Sequence, residues 1–573
     1  MPMPETAVGS SASARFVPSW AWRFLGVASL GLATLPFVAG SPVWDDSDFV
    51  ALFNARGYGA LFETLFGYYF RPLGLLAMWG PWALGASHWV NASLSALIMI
   101  GIAWLGASSA ARLTRPDAPL VTEGAAFAIL CVFFSLNAAM AEPEVWWSGR
   151  FDALLALGAC LHMRLSLWRA PWRPAALALA TAGACLCKES ALFLAPFWAG
   201  FCACCALWEG GLGARLRAAS AAGATLAAAA TCGIWRAIAM DGGAPLRLRP
   251  SSDSWESISW SLQAAGRHMA MWFGAPWESY PLLGHLPKQG WGWPALGVAG
   301  CVGALALIRM GWRGRSLPSL ALGLGLAQSI PLGVVSGHIL LSVDSFVVAR
   351  NVAPSIAWGA PALLALFLWA RPRVPAWSWR VGVCAFAACL GVQALPARHA
   401  WTSNEQLWLS SPDALAMNPE SVASTANLGY ALIGAGKPEH ALALSMAYIS
   451  KNPQVDLLAC QPRAVAAIAL DAMGKSTESA TRGYESFAYC NPYLAVFTVK
   501  DLLLEKRCEE ARRVMNSTTA GRPGSMIPFH GFWSMAPSTK SAWVLDNLKV
   551  LRKAQAEICG SPKSETGLSK KEN

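Results

Sequence analysis

The feature that most constrains this chain is a series of long apolar segments with almost no charge, which begins at Ala21 and stops at Ala397. The 573 residues are 55% hydrophobic and only 13% charged, which is about half the charged fraction of a soluble chain. Most of the segments approach the ~20 residues that a helix needs to cross a bilayer. The sequence therefore predicts an all-α, polytopic membrane protein with a soluble C-terminal part.

Eleven segments of this kind are candidate membrane spans. The run 174–208 is divided at Lys188-Glu189, where two charged neighbours interrupt it. Arg15 and Arg23 precede the first segment as in a signal peptide, but the length of that segment favours an uncleaved helix. Segment 71–85 is apolar but broken by Pro and Gly, and we expect an interfacial helix there. The eleven candidate spans are 21–40, 89–111, 121–140, 151–168, 174–187, 190–208, 216–236, 291–309, 317–336, 353–370 and 377–396.

Basic residues mark alternate loops between these segments. Arginines precede the first span and follow the second, fourth, sixth, eighth and tenth. Cytoplasmic loops carry an excess of Lys and Arg, so these loops are predicted to be cytoplasmic. An odd number of spans then places the part after Arg398 on the opposite face. Short Arg-rich loops and terse spans favour a bacterial inner membrane, with the C-terminal part in the periplasm.

The chain is predicted to divide into a membrane core (1–397), a helical domain (398–560) and a disordered tail (561–573). Small residues and prolines in the helical domain fit the offsets of a repeat of about 34 residues, the tetratricopeptide repeat. An unrelated helical hairpin is the alternative. The residues that fit are Leu428, Gly429, Ala441 and Pro453 in a first copy, and Gly474, Ala480 and Pro492 in a weaker second copy.

The 15 cysteines fall into two groups. Eleven lie in or beside apolar segments and are expected to be small buried hydrophobes. The others lie in the helical domain and can form one or two disulfides if that domain is extracytoplasmic, with the pairing left open. No cysteine pair has metal-site spacing with a nearby His. The four cysteines of the helical domain are Cys460, Cys490, Cys508 and Cys559.

Polar and ionisable residues cluster beside the spans on the predicted extracytoplasmic side. Three carboxylates, Asp45, Asp46 and Asp48, follow the first span; a solvated acidic loop is the alternative interpretation. Polar residues beside apolar spans are costly unless they have a partner or a function. The other members of this set are Arg71, His88, Asn91, Glu144, Arg150, Asp152, Lys188, Glu189 and Arg350.

This order of motifs resembles the GT-C class of integral-membrane glycosyltransferases. It is most similar to the O-mannosyltransferases that join a membrane core to tetratricopeptide repeats, over about residues 15–500. One departure is that no aromatic residues follow Arg350-Asn351. The matching motifs are Asp45-Asp46, Arg71-Pro72-Leu73, His88 with Asn91, Gly149-Arg150-Phe151-Asp152, Lys188-Glu189-Ser190 and Arg350-Asn351.

The resemblance implies transfer of a sugar from a polyprenyl phosphate to a hydroxyl acceptor, with inversion. A hydroxyl is a poor nucleophile at neutral pH, so a positioned carboxylate should accept its proton. A carboxylate also stabilises the cationic sugar of the transition state. Asp45 is the predicted base and Asp46 the second candidate. Asp48, one turn from Asp45 in a helix, is a supporting residue whose alternative role is a solvated cap.

The departing phosphate needs cations, because it carries negative charge. Arg suits bidentate phosphate contacts and Lys supplies a point charge. The alternative for Arg150 is an ion pair with Asp152 or Glu144, and for Lys188 an ion pair with Glu189. His88 is expected to orient the helix of the first loop through Asn91 or a backbone carbonyl, and not to catalyse. The predicted phosphate ligands are Arg150, Lys188, Arg350 and Arg71.

The resemblance implies no metal and no other cofactor, and the partners are a lipid-linked sugar donor, membrane lipids and an acceptor. The repeats favour a protein acceptor and can equally recruit a protein partner; a cell-surface glycan or lipid is the second candidate acceptor. The net charge of +11 sits in short loops, so topology explains it and no nucleic-acid partner is expected. From other classes, a transporter or flippase would place ionisable residues near mid-span, and a non-catalytic scaffold would tolerate Asp45→Asn.

Overall fold

The computed structural model describes residues 18–38, 53, 57–62, 70–85, 88–114, 122–145, 149–211, 213–239, 254–273, 284–285, 292–335, 346–347, 349–400, 402, 404–409, 422–451, 460–487, 492–519 and 537–559. This part of the chain is almost entirely helical, which confirms the predicted all-α class. One antiparallel pair of two-residue strands accompanies the helices: β1 (Gly284–His285) pairs with β2 (Phe346–Val347). The predicted disordered tail, 561–573, lies outside the described residues.

Each of the eleven predicted spans falls on a helix. The 71–85 segment also contains one, α2, which begins at Pro72, where the fixed φ of proline suits the first helical position. A 3-10 turn, Ala349–Val352, precedes α13 and is called the 349–352 turn. The helices are α1 (Ser19–Val38), α2 (Pro72–Ala83), α3 (His88–Leu113), α4 (Glu123–Leu136), α5 (Ala138–Val145), α6 (Arg150–Ser166), α7 (Arg173–Cys187), α8 (Ser190–Trp208), α9 (Ala214–Ala239), α10 (Ser254–Met271), α11 (Gly292–Gly314), α12 (Leu317–Val335), α13 (Ala353–Ala370) and α14 (Ala376–Ala400).

Several of these helices are long and apolar enough to cross a membrane. Among the described residues five qualify by length and composition, or six if the bent pair α4 and α5 counts as one span. The most enclosed is the α13 segment, 72% of which is buried, and it packs against α3, α6 and α12. The five are Trp89–Leu113, Ser190–Trp208, Ala214–Ala239, Gly292–Gly314 and Ala353–Arg373. These helices agree with an integral membrane protein.

The predicted third span, 121–140, is not one straight helix. It breaks at Asn137, and α4 and α5 meet at 90°. The Asn137 side chain accepts a hydrogen bond from the backbone N–H of Ala139 (2.9 Å) and donates one to the carbonyl of Met271 (3.2 Å). An Asn side chain that bonds nearby backbone competes with the helical ladder, and here it caps α5 and ties the break to α10.

The break changes the position of two acidic residues. The sequence placed Glu144 beside the spans, outside any helix; that placement is wrong, because Glu144 and the neighbouring Glu142 both lie in α5. Each side chain is fully buried. A buried carboxylate needs a specific partner, so their surroundings differ from those of a solvated loop.

The C-terminal part is a succession of helices in which each packs against the next. A short helix follows α14 and contacts both α14 and the first long helix of this part. The helices are α15 (Asn404–Leu409), α16 (Val422–Gly434), α17 (Pro438–Lys451), α18 (Cys460–Ala472), α19 (Ser476–Phe487), α20 (Pro492–Leu504), α21 (Cys508–Thr519) and α22 (Pro537–Cys559).

Three successive hairpins in this part, α16–α17, α18–α19 and α20–α21, share one turn geometry. The turn residues Gly436, Gly474 and Lys506 have φ of 71°, 74° and 57°. The backbone N–H of the following residue bonds to a carbonyl five residues earlier, as in a Schellman cap. These bonds join Lys437 to Leu432 (2.8 Å), Lys475 to Leu470 (2.9 Å) and Arg507 to Leu502 (2.8 Å). The third hairpin was missed in the sequence because Lys506 stands where the other two turns have Gly.

A disulfide closes the end of this series. Cys508, the first residue of α21, is bonded to Cys559, the last residue of α22. The side chains of Cys460 and Cys490 lie outside the described residues. Seven of the eleven cysteines in the apolar helices are buried, as the sequence predicted, and two more are half-buried. The prediction of burial is wrong for the remaining two, Cys384 and Cys389 in α14, which are exposed.

The buried apolar side chains form two main clusters. The larger includes membrane-core residues such as Ala153 and Val352, and it continues through α15–α17 to Ala469 in α18. The second begins at Ala480 in α19 and extends to Leu548 in α22. The described core is therefore continuous across the predicted domain boundary at 397, and α14 itself extends to Ala400.

Candidate functional site

Polar side chains that are far apart in sequence meet at the N-terminal ends of α3, α6 and α8. We call this group the charge cluster. The sequence placed its members on one face of the membrane, and the structure brings them into contact. They are Arg71 before α2, Asn91 in α3, Arg150 and Asp152 in the first turn of α6, Lys188 and Glu189 between α7 and α8, and Asn351 in the 349–352 turn.

Arg71 and Glu189 form a bidentate ion pair. Arg71 Nε donates to Glu189 Oε2 at 2.8 Å, and Nη2 donates to Oε1 at 2.6 Å. The guanidinium also lies 5.0 Å from the centre of the Phe151 ring. Burial alone raises the pKa of Glu189, but Arg71 and Lys188 lower it more strongly, to about 2. Glu189 is therefore ionised at neutral pH.

Lys188 joins α6 to the 349–352 turn. Its Nζ donates to Asp152 Oδ1 and, at 3.1 Å, to Asn351 Oδ1. Lys188 and Asp152 are 5% and 1% exposed, so this ion pair is shielded from water. The extended backbone of Lys188 (φ −158°, ψ 135°) ends α7 and aims the side chain across to α6.

Arg150 is fully buried and bonds to two other helices. Its Nη1 donates to the carbonyl of Ala77 in α2 and its Nη2 to the carbonyl of Asn91 in α3, both at 2.8 Å. Its Nε donates to Ser95 Oγ at 3.2 Å. The proposed alternative partners, Asp152 and Glu144, pair with Lys188 and with Arg398. Phosphate contact by Arg150 stays a prediction.

A glycine allows α2 to reach this site. A Cβ on Gly74 would lie 2.3 Å from a ring carbon of Phe151 and 2.9 Å from the carbonyl oxygen of Cys187. Only a residue without a side chain lets α2 approach α6 and the end of α7 so closely. Gly74 thereby sets where Arg71, three residues earlier, meets Glu189.

Other candidates lie apart from the cluster or outside the described part. Glu144 pairs with Arg398, with Oε2 and Nη2 2.6 Å apart. Arg398, Ser95 and the Ala77 carbonyl were not predicted from the sequence. The one available signal was for Arg398, a basic residue at the end of an apolar helix. Asp45, Asp46, Asp48 and the side chains of His88 and Arg350 lie outside the described residues.

The cluster has the chemistry of an anion site whose cations are already engaged. Arg71 and Lys188 each bond to a carboxylate, so an incoming phosphate would have to share or displace those partners. Metal binding has no support in the described part of the chain, where no group of three or more His, Cys, Asp and Glu side chains could hold an ion.

Comparison with protein-family models, with curated proteins and with solved structures gives no match to this chain.

Proposed function

We propose that this chain is a membrane glycosyltransferase of GT-C type, which moves a sugar from a polyprenyl phosphate to a hydroxyl acceptor with inversion. The observation that carries the proposal is the charge cluster. Motif residues spread from Arg71 to Asn351 meet through hydrogen bonds at one end of the helices. Buried ionisable groups at the edge of membrane spans are costly, and an anionic lipid-borne donor gives this group a use.

In this proposal the carboxylates after α1 do the proton chemistry. Asp45 accepts the proton of the acceptor hydroxyl as the hydroxyl attacks the anomeric carbon, and Asp46 is the second candidate. The bond from that carbon to the phosphate oxygen breaks, and the phosphate leaves as an anion. Lys188, Arg71, Arg150 and Arg350 hold that anion.

The proposal includes eleven spans and an extracytoplasmic C-terminal part in the periplasm of a bacterial inner membrane. The helices on all eleven predicted segments and the alternating basic loops support this topology. The Cys508–Cys559 disulfide supports it further, because disulfides persist in oxidising compartments such as the periplasm.

We further propose that the three hairpins are tetratricopeptide repeats that hold a protein acceptor or a protein partner. The first hairpin supports this reading: a Cβ on Gly429 would lie 2.4 Å from Val465 of α18, so successive pairs touch where the repeat pattern has Gly. Stacked helix pairs of this kind form concave surfaces that bind extended peptides.

The test is transfer of labelled sugar from a panel of polyprenyl-phosphate donors to pooled extracytoplasmic proteins by the purified protein. We expect sugar transfer by wild type and by the control variant Glu509→Gln in α21. In Asp45→Asn the transfer rate should fall by about 10²-fold or more. Equal activity in Asp45→Asn would assign the base to Asp46 or Asp48. If the folded wild type neither transfers sugar from any donor nor binds any donor, the proposal is wrong and a non-catalytic scaffold is favoured.

A further inference from the structure

A buried ion pair outside the charge cluster joins α5 to the end of α14. Glu144 Oε2 lies 2.6 Å from Arg398 Nη2, and the two residues are 0% and 3% exposed. Glu144 follows the break at Asn137, and Arg398 lies in the last turn of α14. The pair thus joins two residues that the sequence assigned to different domains, Glu144 to the membrane core and Arg398 to the helical domain.

The pair leaves several polar atoms unused. Within the part of the chain that the structure describes, Glu144 Oε1 and Arg398 Nε and Nη1 are buried and have no hydrogen-bond partner. Buried polar atoms in native proteins are nearly always paired with protein, water or ligand. One unused acceptor and two unused donors beside each other therefore indicate a polar guest.

The hydrogen-bonding atoms without a partner indicate which kind of ligand could bind there. Arg398 offers N–H groups and needs an acceptor, whereas Glu144 offers a carboxylate oxygen and needs a donor. A phosphate or carboxylate would be repelled by Glu144, and an ammonium would be repelled by Arg398. A neutral hydroxyl satisfies both, because it donates one hydrogen bond and accepts two.

The position of the pair connects it to the charge cluster, where the donor is proposed to bind, and to the C-terminal hairpins, where a protein acceptor is proposed to bind. Helix α5 packs against the 349–352 turn, whose Asn351 accepts a hydrogen bond from Lys188 of the charge cluster. Helix α14 continues through α15 to the hairpins of the C-terminal part. The pair therefore lies between the charge cluster and the C-terminal hairpins in the series of elements that pack against one another.

We propose that Glu144 and Arg398 form a subsite for the acceptor, which takes the hydroxyl of a serine or threonine in a peptide. The hydroxyl donates to Glu144 Oε1, and its oxygen accepts from an N–H of Arg398. This inference rests on the proposed transfer to a hydroxyl. Glu144 and Arg398 bind and orient the acceptor; no bond to them is made or broken.

Binding is measured on the full-length protein by ligand-observed NMR, with N-acetylthreonine methylamide as the probe. The matched compound is N-acetyl-2-aminobutyric acid methylamide, which lacks only the hydroxyl. The test variant is Glu144→Leu/Arg398→Met, because replacing a buried ion pair by apolar side chains of similar size usually keeps a protein folded. The control is Arg380→Met, which removes an exposed arginine of α14.

We expect the threonine compound to bind wild type and Arg380→Met, and its Kd to rise at least tenfold in the double variant. The matched compound should not bind, and the affinity for polyprenyl phosphate should be the same in wild type and the double variant. The binding experiment needs no sugar donor. If the threonine compound binds through the pair but no donor supports transfer, the subsite is supported and only the proposed function fails.

Four outcomes would overturn the subsite. Equal threonine binding in wild type and the double variant would place the peptide elsewhere. No difference between the two compounds, or no binding by wild type, would mean that ordered water satisfies the pair. Binding of methyl α-mannoside alone, lost in the double variant, would assign the hydroxyl to the sugar and overturn the peptide acceptor.

Discussion

At the residue scale, the charge cluster is organised by ion pairs between helices that are far apart in sequence. Arg71 and Glu189 are separated by 118 residues and form two hydrogen bonds. Breaking one partner of a buried pair leaves an uncompensated charge, whereas replacing both partners by apolar groups is far less costly. The pair can therefore be tested without reference to catalysis.

We expect Glu189→Gln to destabilise the protein by about 3–5 kcal/mol at pH 7. The double variant Arg71→Met/Glu189→Leu should lose much less than the sum of the single variants. The pKa of Glu189 in the folded protein, about 2, lies below the usual value of 4.5. Its stabilisation is therefore fully present above about pH 4.5 and is lost as the pH falls toward 2. Thermal unfolding in detergent at pH 7 and pH 4 measures both effects.

The control for this pair is Glu509→Gln. Glu509 forms an exposed ion pair with Arg512 one turn away in α21, and exposed pairs contribute about 0–1 kcal/mol. A loss in Glu509→Gln as large as that in Glu189→Gln would mean that the measurement reports general charge effects and not the Arg71 pair.

Asp501 in α20 gives the opposite pH dependence. Burial raises the pKa of its carboxyl to about 6, against the hydrogen bond from Ser479 Oγ at 2.5 Å. The folded state therefore holds a proton that the unfolded state releases between about pH 4 and 6, so stability falls as the pH rises through that interval. Asp501→Asn should raise the unfolding temperature at pH 8 and leave it near wild type at pH 4.

Differential scanning calorimetry at the two pH values measures this effect, with Glu478→Gln as an exposed control in α19. Nearby charges are Asp471, which raises the pKa of Asp501, and Lys500, which lowers it. An Asp501→Asn variant that is less stable than wild type at pH 8 would show that the charged carboxylate is stabilising.

At the element scale, Gly74 provides a comparison within one helix. A Cβ on Gly74 would overlap Phe151 and the Cys187 carbonyl, whereas a Cβ on Gly80 of the same helix meets nothing within 4 Å. We expect Gly74→Ala to cost about 1–3 kcal/mol through overpacking and to weaken donor binding. Gly80→Ala should be neutral or slightly stabilising. Equal unfolding temperatures for the two variants would contradict the close approach of α2.

The helices could be predicted from sequence, but their interruptions and pairings could not. Long apolar runs identify helices because a bilayer or a bundle interior permits little else. The break at Asn137 depends on a bond to Met271, 134 residues away, and no local pattern encodes that contact. The third hairpin was not recognised in the sequence, because its turn has Lys506 where the others have Gly. The positive φ of Lys506 is a property of the fold and not of the residue type.

The same limit applies to the candidate site. The sequence identified Arg71, Asn91, Arg150, Asp152, Lys188 and Glu189 as residues of one face, because each lies beside an apolar span on the predicted extracytoplasmic side. Which charge pairs with which depends on helix packing. Glu144 and Arg398 are 254 residues apart, and the sequence assigned them to different domains.

At the scale of the whole molecule, the disulfide stabilises the end of the C-terminal part. Cys508 and Cys559 are 51 residues apart, and closing a loop of that length contributes about 3–4 kcal/mol. We expect Cys508→Ala/Cys559→Ala to lower the unfolding temperature under oxidising conditions. The control variant Cys384→Ala, which replaces an exposed cysteine, should leave the unfolding temperature unchanged. A reductant should lower the stability of wild type more than that of the double variant; an effect of equal size on both would contradict this account.

The continuity of the larger apolar cluster has a mechanical consequence. A force applied to the first hairpin is carried by packed side chains through α15 and α14 to Ala153 and Val352, beside the charge cluster. The third hairpin belongs to the second cluster, so a force placed there reaches the membrane core across the contact between α18 and α19. Under the proposed function, a protein held on α16 and α17 would press on the same apolar cluster that includes Ala153 and Val352, whereas one held on α20 and α21 would press on a separate cluster.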